Sequence, residues 1–562
     1  MARDYENYSK DALIVHIHEL EKQLKNNKYG LYWDKSIEQE KVVRQCKANI
    51  PVLEREDDKC IMNNPNADTH ILIEGDNFHA LTAMNMMCGN EGFVDVIYID
   101  PPYNTGRSFI YNDKIIDEDD GYKHSKWISF MEKRLKLAWK ILKYHGTIFI
   151  SINNYEYAQL KLLCDSLFNV SNYVGTLTWE STTQPTNAGK AQFGLQQKSE
   201  IILMYTNHKS TFPGYNLNFA KKTKSYPNTD AEGKKCRYEI IEKSDAGGYN
   251  RETMKFQILG HYPREGKRWQ IGEGTARELE RTGRVAIVDG IVKKVVYPED
   301  EMVGNRWLPF WSHFKADEYG TAQTGKAQLK DIMGYDVGFD TVKPVELIQQ
   351  LIFHTTKQDE DAVVADFFLG SGTTAQAVIE LNAEDGGHRR CIVCTDNEGN
   401  ICSDIAYPRI KTVISGKRQD GSEYSNGIPV NLMYYKTDFI KDSNDTDQAK
   451  YCLVEKVDEL LCIIEETYLA KERTDHYSHY ETFSGEKHSF IYSDYYSEEP
   501  FQQFLDLINS VDGKKIVYMF STDNIVDEKL FKGLKDITVK PIPSKIYEIY
   551  KEIVEDIKRG EQ

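Results

Sequence analysis

The 562-residue chain has no long hydrophobic run, and nothing in it approaches the roughly 20 consecutive apolar residues needed to cross a bilayer. Met1 to Lys10 is polar and lacks the apolar core of a secretory leader, so no membrane association is expected and the expected setting is the cytoplasm. A disulfide frame is missing as well, because ten cysteines are scattered along the whole length. In the tightest group, Cys391, Cys394 and Cys402, the first two lie an odd number of residues apart on an expected strand and face opposite sides. Buried, reduced thiols are expected there rather than a zinc site, and no metal is assigned anywhere in the chain. No Gly-x-x-x-x-Gly-Lys-Ser/Thr loop occurs, which argues against a motor driven by nucleotide triphosphate in this chain alone.

Positive charge is scarce too. A formal net charge of −17 has the wrong sign for contact with phosphates. Its distribution removes part of that objection: an excess of about ten negative charges lies after residue 440, whereas residues 221–269 carry an excess of about five positive ones. Binding to DNA requires a local basic face and not a global excess, and Lys221, Lys222, Lys234, Lys235 and Arg237 are the candidates for such a face.

The most informative stretch present is Asp100-Pro101-Pro102-Tyr103, which closes the apolar run Val94-Asp95-Val96-Ile97-Tyr98-Ile99. The run reads as a strand buried on both faces, and two prolines without N–H groups forbid its continuation. The chain must then splay from the carboxyl edge of the sheet, where ligands bind in open α/β folds. Asp100 and the carbonyl of Pro101 suit the two hydrogens of an amine on a flat ring. By accepting them they draw the nitrogen toward tetrahedral geometry and stabilise the charge that develops as it attacks. Tyr103 offers a face for stacking on a base that has been turned out of a duplex.

The length implies two to four structural units. Ser9 to Asn27 places Leu13, Ile17, Leu20 and Leu24 on one helical stripe. Up to about residue 210, strand-like and helix-like segments alternate, which predicts a mainly parallel sheet covered on both faces. Regular periodicity fades from about 211 to 335, apart from the hairpin-like pieces flanking Asp289-Gly290, and this segment reads as a separate module. The first pattern resumes at Pro344. The buried strand Ala362 to Asp366 runs into Phe367-Phe368-Leu369-Gly370-Ser371-Gly372-Thr373-Thr374 and a helix, a glycine turn at a helix start that lets a ligand approach the backbone. A further strand, Arg390 to Thr395, ends in Asp396-Asn397-Glu398, where an acid can meet a ribose. The tail reads as a small acidic α/β unit with no evident site residues.

Taken together, these residues resemble the β-class amino-methyltransferases of DNA, and more closely the modification (Mod) subunit of type III restriction-modification systems. The resemblance rests on Asp100 to Tyr103 placed before Phe368-x-Gly370-x-Gly372-Thr373-Thr374. Gly75-Asp76-Asn77, Asp100 to Gly106, Ser151-Ile152-Asn153, Lys198-Ser199-Glu200, Lys343-Pro344 and Arg389 to Arg409 support the closer match. It implies a circularly permuted, Rossmann-like AdoMet-dependent methyltransferase with a mainly parallel sheet, an inserted target-recognition domain and a small C-terminal α/β unit. The implied segments are 1–50 (N-terminal helical), 51–210 (catalytic half), 211–335 (target recognition), 336–440 (AdoMet-binding half) and 441–562 (acidic C-terminal region). Asp100, Pro101, Pro102 and Tyr103 are then catalytic. S-adenosylmethionine (AdoMet) is met by Asp76, Asp366, Phe368, Gly370, Gly372 and Thr373, with either Asp396 or Glu398 at the ribose. The implied activity is methylation of adenine N6 in a specific sequence of double-stranded DNA, by a homodimer working with a helicase-nuclease restriction subunit. Alternative readings are an N4-cytosine or solitary adenine methyltransferase without a restriction partner, and a non-catalytic DNA-recognition and assembly subunit.

Overall fold

The computed structural model describes residues 40–87, 92–105, 110–111, 114–115, 121–185, 195–219, 228–230, 232–245, 251–297, 307–339, 341–356, 361–440, 446–493, 497–520 and 528–542, with a few isolated positions besides. The helical stripe expected over 9–27 lies outside these residues except at Lys10, Ile14 and Ile17, and Gly106, Lys221 and Lys222 also lie outside them. Two compact units emerge, one built from Met1–Asn216 with Trp311–Gln562 and the other from Leu217–Phe310.

In the first unit ten strands form one sheet. In chain order they are β1 (Ile50–Arg55), β2 (Thr69–Glu74), β3 (Val94–Ile99), β4 (Leu142–Ile152), β5 (Tyr173–Trp179), β6 (Glu200–Thr206), β7 (His313–Phe314), β8 (Val363–Asp366), β9 (Arg390–Thr395) and β10 (Asn431–Ile440). Across the sheet the order is β1-β10-β2-β9-β8-β3-β4-β6-β5-β7. The pairs β10–β2, β2–β9, β9–β8, β8–β3, β3–β4 and β5–β7 are parallel, and β1–β10, β4–β6 and β6–β5 are antiparallel. This is the mainly parallel α/β sheet that the alternation of segments predicts, with antiparallel pairs toward its two ends.

Both faces are covered, as near-continuous β-branched strands require. Ile71, Ile73, Ile97, Ile99, Ile148 and Ile150 point into one cluster with Phe78, Trp127, Leu135 and Leu160, which come from the helices Asn77–Met87, Lys123–Ile141 and Tyr157–Phe168. The alternate residues Leu72, Val96, Phe149 and Val364 are equally buried. On the chain's return the helix Val345–Thr355 packs on Thr373–Asp385 and against β3. Among the described residues no helix is long and apolar enough to cross a membrane.

The acidic tail forms a second sheet, Leu469–Arg473, Tyr477–Glu481, Lys487–Tyr492, Lys514–Phe520 and Ile537–Ile542, in that order. Tyr480, Ile491, Ile516 and Tyr518 on one of its faces join the main cluster, together with Val457, Leu460 and Leu461 of the helix Thr446–Glu465. The other face packs Tyr477, Phe490 and Val517 on Phe501 and Phe504 of the helix Glu498–Ser510. The tail thus shares a core with the ten-stranded sheet. The final helix expected over Pro543 to Lys558 lies outside the described residues.

Leu217–Phe310 is shorter than the irregular segment 211–335, because His313–Phe314 joins the main sheet beside β5 and Ala322–Met333 is a helix of the first unit. Its four-stranded sheet, Asn228–Thr229, Lys235–Ile240, Ile291–Val296 and Val285–Val288, and the helix Glu273–Arg281 surround Ile241, Ile258, Trp269, Ala276, Val285 and Val292. Asp289 and Gly290, at φ of 55° and 72°, make the two-residue turn of the expected hairpin.

The pairing of β3 with β8 joins residues far apart in the chain, with Val96 opposite Val364 and Ala365 opposite Ile97. Asp95 Oδ2 fastens it by accepting the Val363 N–H and the Lys143 ammonium, each at 2.8 Å. Asp95→Ala leaves the Val363 N–H unpaired and is expected to cost about 1–3 kcal/mol. A urea melt should show the midpoint falling with its slope preserved, and an unchanged midpoint would remove Asp95 from this role.

Candidate active site

The parallel strands open their carboxyl ends side by side along one edge of the sheet. Reading across it, β2 delivers residues 75–77, β9 Asp396, β8 the turn 367–372, β3 Asp100 to Tyr103 and β4 Asn153. Strand β6 runs antiparallel to β4, so its first residue, Glu200, reaches the same edge, as does Trp179 at the end of β5.

After Ile99 the two prolines turn the chain off the sheet. The Trp127 indole donates to the Pro102 carbonyl at 2.6 Å and fixes the direction of the turn. Asn104 holds a left-handed φ of 55°, which asparagine tolerates, and its amide donates to Glu156 Oε1 at 2.5 Å. Within this frame the Tyr103 hydroxyl lies 2.6 Å from Asp100 Oδ1 and 3.0 Å from Glu200 Oε2. Lys343 Nζ donates to Asp100 Oδ2 at 2.7 Å and to Tyr103 Oη at 2.9 Å, and sits 3.2 Å from Glu200 Oε2. A phenol has one proton to donate, so Tyr103 satisfies one carboxylate at a time while accepting from Lys343.

Burial and the two carboxylates push the Tyr103 hydroxyl well above its ordinary range, which keeps it a neutral phenol. For Lys343 burial works against the charge, but Asp100 and Glu200 outweigh it and hold the ammonium above its usual value. The ammonium also lies 5.2 Å from the centre of the Tyr103 ring and 5.6 Å from that of Trp179. The arrangement is a preorganised acid, a fixed phenol and a buried counter-charge at one point of the edge.

Beside it, Gly370 and Gly372 take φ of 55° and 89°, so any other residue would be strained there. Gly372 caps the helix Thr373–Asp385. Asp366 braces the turn from below: Oδ1 accepts the Phe368 N–H at 2.9 Å and Oδ2 the Thr374 hydroxyl at 2.6 Å. Burial raises this carboxyl to about 7, opposed by those two donors and reinforced by Asp100. Arg409, wholly buried, grips the turn from the other side, with Nη1 3.2 Å from Ser371 O and 2.9 Å from Thr373 Oγ1. Phe368 is half-buried against Phe130.

Two strands further on, Asp76 and Asp396 come together. Asp396 is exposed at its residue surface, as Glu398 is, and desolvation of its carboxyl at the sheet edge, then the Asp76 charge and that of Glu398, raise it. Asp76 Oδ1 accepts the Phe78 N–H at 2.7 Å, and Arg134 Nη2 lies 3.7 Å from Oδ2. Arg134 also donates to Asn77 Oδ1 at 2.5 Å, and Asn77 to the Phe367 carbonyl at 3.0 Å, tying the β2 loop to the glycine turn. Glu398 is exposed, in a short 3-10 turn.

Three of the five residues of the expected basic face are described. Lys234 and Lys235 are exposed. Arg237 is paired with Glu239 at 2.5 Å. Lys255 and Arg268 bind Asp245, Arg264 binds Glu242 and Arg277 binds Glu273, so several of the basic side chains of this unit are engaged within it. Cys391, Cys394 and Cys402 are buried free thiols.

The strand periodicity and the proline turn located Asp100 to Tyr103, but they did not expose Lys343 or Glu200 as partners. Lys343 lies 243 residues from Asp100, and Glu200 lies 97 from Tyr103. Lys343-Pro344 and Lys198-Ser199-Glu200 stood out only through resemblance. Arg134 and Arg409 carry no local pattern that separates them from surface arginines.

A family model described as DNA methylase matches residues 94–407. The Mod subunit of the type III restriction-modification enzyme StyLTI of Salmonella typhimurium is 31% identical over 375 residues, 61% of this chain and 54% of that protein. The type II methyltransferase M.KpnI of Klebsiella pneumoniae is 31% identical over 339 residues, 56% of this chain and 78% of that protein. The EcoPI Mod subunit of Escherichia phage P1 is 29% identical over 450 residues, 70% of this chain and 67% of that protein. The chain therefore spans about half the length of the StyLTI subunit and more of the other two.

The raised Asp366 carboxyl has a measurable consequence. Its folded value of about 7 against an ordinary 3.8 means that the native state keeps this proton longer than the unfolded chain does. The contribution of this group to stability is thus full below the ordinary value and is lost as the pH rises through about 7. Asp366→Asn keeps an acceptor for the Phe368 N–H and does not ionise. The fall in melting temperature between mildly acidic and mildly alkaline buffer should be smaller in this variant than in the wild type, and equal falls would contradict the assignment.

Proposed function

The chain belongs to the DNA methylase family and is related to type III Mod subunits, and on that premise we propose that it transfers a methyl group from AdoMet to N6 of an adenine turned out of duplex DNA. The observation that carries this reading is the pairing of β3 with β8, which sets Asp100 to Tyr103 beside the glycine turn.

The edge of the sheet fits AdoMet in its own chemistry. Asp76 and Asp396 are acceptors suited to ribose hydroxyls or an ammonium, Phe368 presents a half-buried aromatic face, and Gly370 and Gly372 allow close approach at the start of a 13-residue helix, with Thr373 at its first position. Asp396 serves the ribose in this reading, because it stands next to Asp76 on the neighbouring strand end, whereas Glu398 is a turn further out. Asp366 acts through the turn it braces. Bound there, AdoMet supplies an electrophilic methyl group on a sulfonium.

The residues of the chain do the rest. Asp100 and the Pro101 carbonyl accept the amine hydrogens of the base, Tyr103 supplies a ring face beside it, and Pro102 holds the turn open. Lys343 provides the counter-charge that fixes the Asp100 carboxylate in position. Because it also touches Glu200, it keeps an acid partner when the amine takes up an Asp100 oxygen. Positioning two reactants and offering preorganised acceptors accounts for the acceleration.

Leu217–Phe310 reads the target sequence in this proposal, with Lys234 and Lys235 on phosphates. The proposal includes a homodimer acting with a restriction subunit, and the names of the Mod relatives support the restriction-modification association. The 78% coverage of M.KpnI favours a second reading, a methyltransferase that works without such a partner. Modified-base sequencing of DNA from cells expressing this chain alone separates them: N6-methyladenine in one short sequence supports activity without a partner. N4-methylcytosine would overturn the adenine assignment, and unmodified DNA would point to a partner or to a non-catalytic subunit.

Asp100→Ala is expected to lower single-turnover methyl transfer by about 10²–10⁴-fold with the fold intact. Lys343→Met should reduce kcat more than it changes the KM for DNA or AdoMet, and Lys343→Arg should recover part of the loss. A loss confined to KM would mean that Lys343 serves binding alone. Lys234→Ala with Lys235→Ala should lower the slope of log affinity against log salt by about one to two. An unchanged slope would place the phosphate contacts elsewhere.

A further inference from the structure

The sheet of the acidic tail carries three side chains that methyl transfer does not use. Its strands Tyr477–Glu481 and Lys487–Tyr492 are antiparallel neighbours, with Glu481 opposite His488 and His479 opposite Phe490. His479 and Glu481, two residues apart on one strand, point to the same face, and His488 joins them from across the ladder. His479 Nε2 lies 3.2 Å from His488 Nδ1, and Glu481 Oε2 lies 3.7 Å from the same nitrogen. All three atoms fall within 4.8 Å of one another. A tetrahedral zinc ion with nitrogen and oxygen ligands at about 2.0–2.1 Å spaces them by about 3.3 Å, close to the two shorter separations.

The surroundings hold these atoms in place. Both imidazoles are buried, at 4% and 3% exposure, and the His479 ring stacks on Phe490 at 4.3 Å and 7°. Lys471 Nζ takes Glu481 Oε1 at 3.1 Å, leaving Oε2 as the oxygen nearer His488. Among the described residues, the buried His488 Nε2 has no hydrogen-bond partner.

We propose that His479 Nε2, His488 Nδ1 and Glu481 Oε2 bind one zinc ion, with a fourth position left to water. Two imidazoles and a carboxylate are a ligand set for a divalent first-row metal, and the absence of thiolate distinguishes it from a cysteine site. The ion would tie two strands of a sheet whose opposite face enters the methyltransferase core, so its effect would be on the stability of the tail and not on the chemistry at Asp100.

The test uses the full chain, stripped with a chelator and titrated with zinc. Elemental analysis should return one zinc per chain, and the melting temperature should rise with zinc concentration. The cobalt(II) form should show visible ligand-field bands without a thiolate charge-transfer band. His488→Gln should weaken zinc binding by at least about tenfold, and so should Glu481→Gln, a half-buried and milder change that guards against misfolding. Methyl transfer should persist in both variants. Failure of the wild type to bind zinc, equal binding by wild type and both variants, or a thiolate band in the cobalt form would each overturn the proposal, without bearing on the methyltransferase reading.

Discussion

Everything at the candidate site depends on one backbone pairing, that of β3 with β8. These strands lie in halves of the chain separated by the Leu217–Phe310 unit, yet they are direct parallel neighbours, with Val96 opposite Val364. Parallel pairing aligns carboxyl ends, so the acid-proline-proline-tyrosine turn and the glycine turn must emerge at the same level. Apolar side chains buried on both faces hold that register, and the Asp95 bridge to Val363 adds a fixed point at the opposite end. Slippage by one residue would reverse every inward side chain, so the geometry of the site rests on the core beneath it.

A second constraint is electrostatic. Lys343 is buried against two carboxylates and a phenol, and such a cluster is costly to desolvate unless its members are paired and hydrogen-bonded. Here each partner lies within 3.2 Å of the ammonium, so the cluster repays part of that cost and rigidifies the Asp100 carboxylate at the sheet edge. Asp366 follows the same logic with neutral donors in place of a cation, and without one its carboxyl rises to about 7. The two acids on adjacent strands therefore behave differently: Asp100 is held by a charge and turned to the edge, while Asp366 is buried and committed to the turn.

Much of this was legible in the residues. Continuous β-branched runs marked β3, β8 and β9, and the Asp289-Gly290 pair marked its hairpin, because these features are local. The partners of Asp100 were not legible, since Lys343 and Glu200 meet it only through the sheet order. In the tail, Ser478 and His479 are buried polar residues on a strand, which blurs the alternation by which such strands are recognised. The basic excess of residues 221–269 is a net count, and it does not say which cations are engaged: Arg237, Lys255 and Arg264 carry acidic partners. The irregular segment outlasts the compact unit for a related reason: two residues, His313–Phe314, suffice to rejoin a sheet and leave almost no periodic trace.

The central claim is that two motifs more than 260 residues apart form one cofactor-facing edge. Hydrogen exchange on the full chain with and without AdoMet tests it most directly. Protection is predicted at residues 75–77, 100–103 and 367–374 together, with Leu217–Phe310 unchanged. Protection of only one of these segments, or of none, would contradict the account.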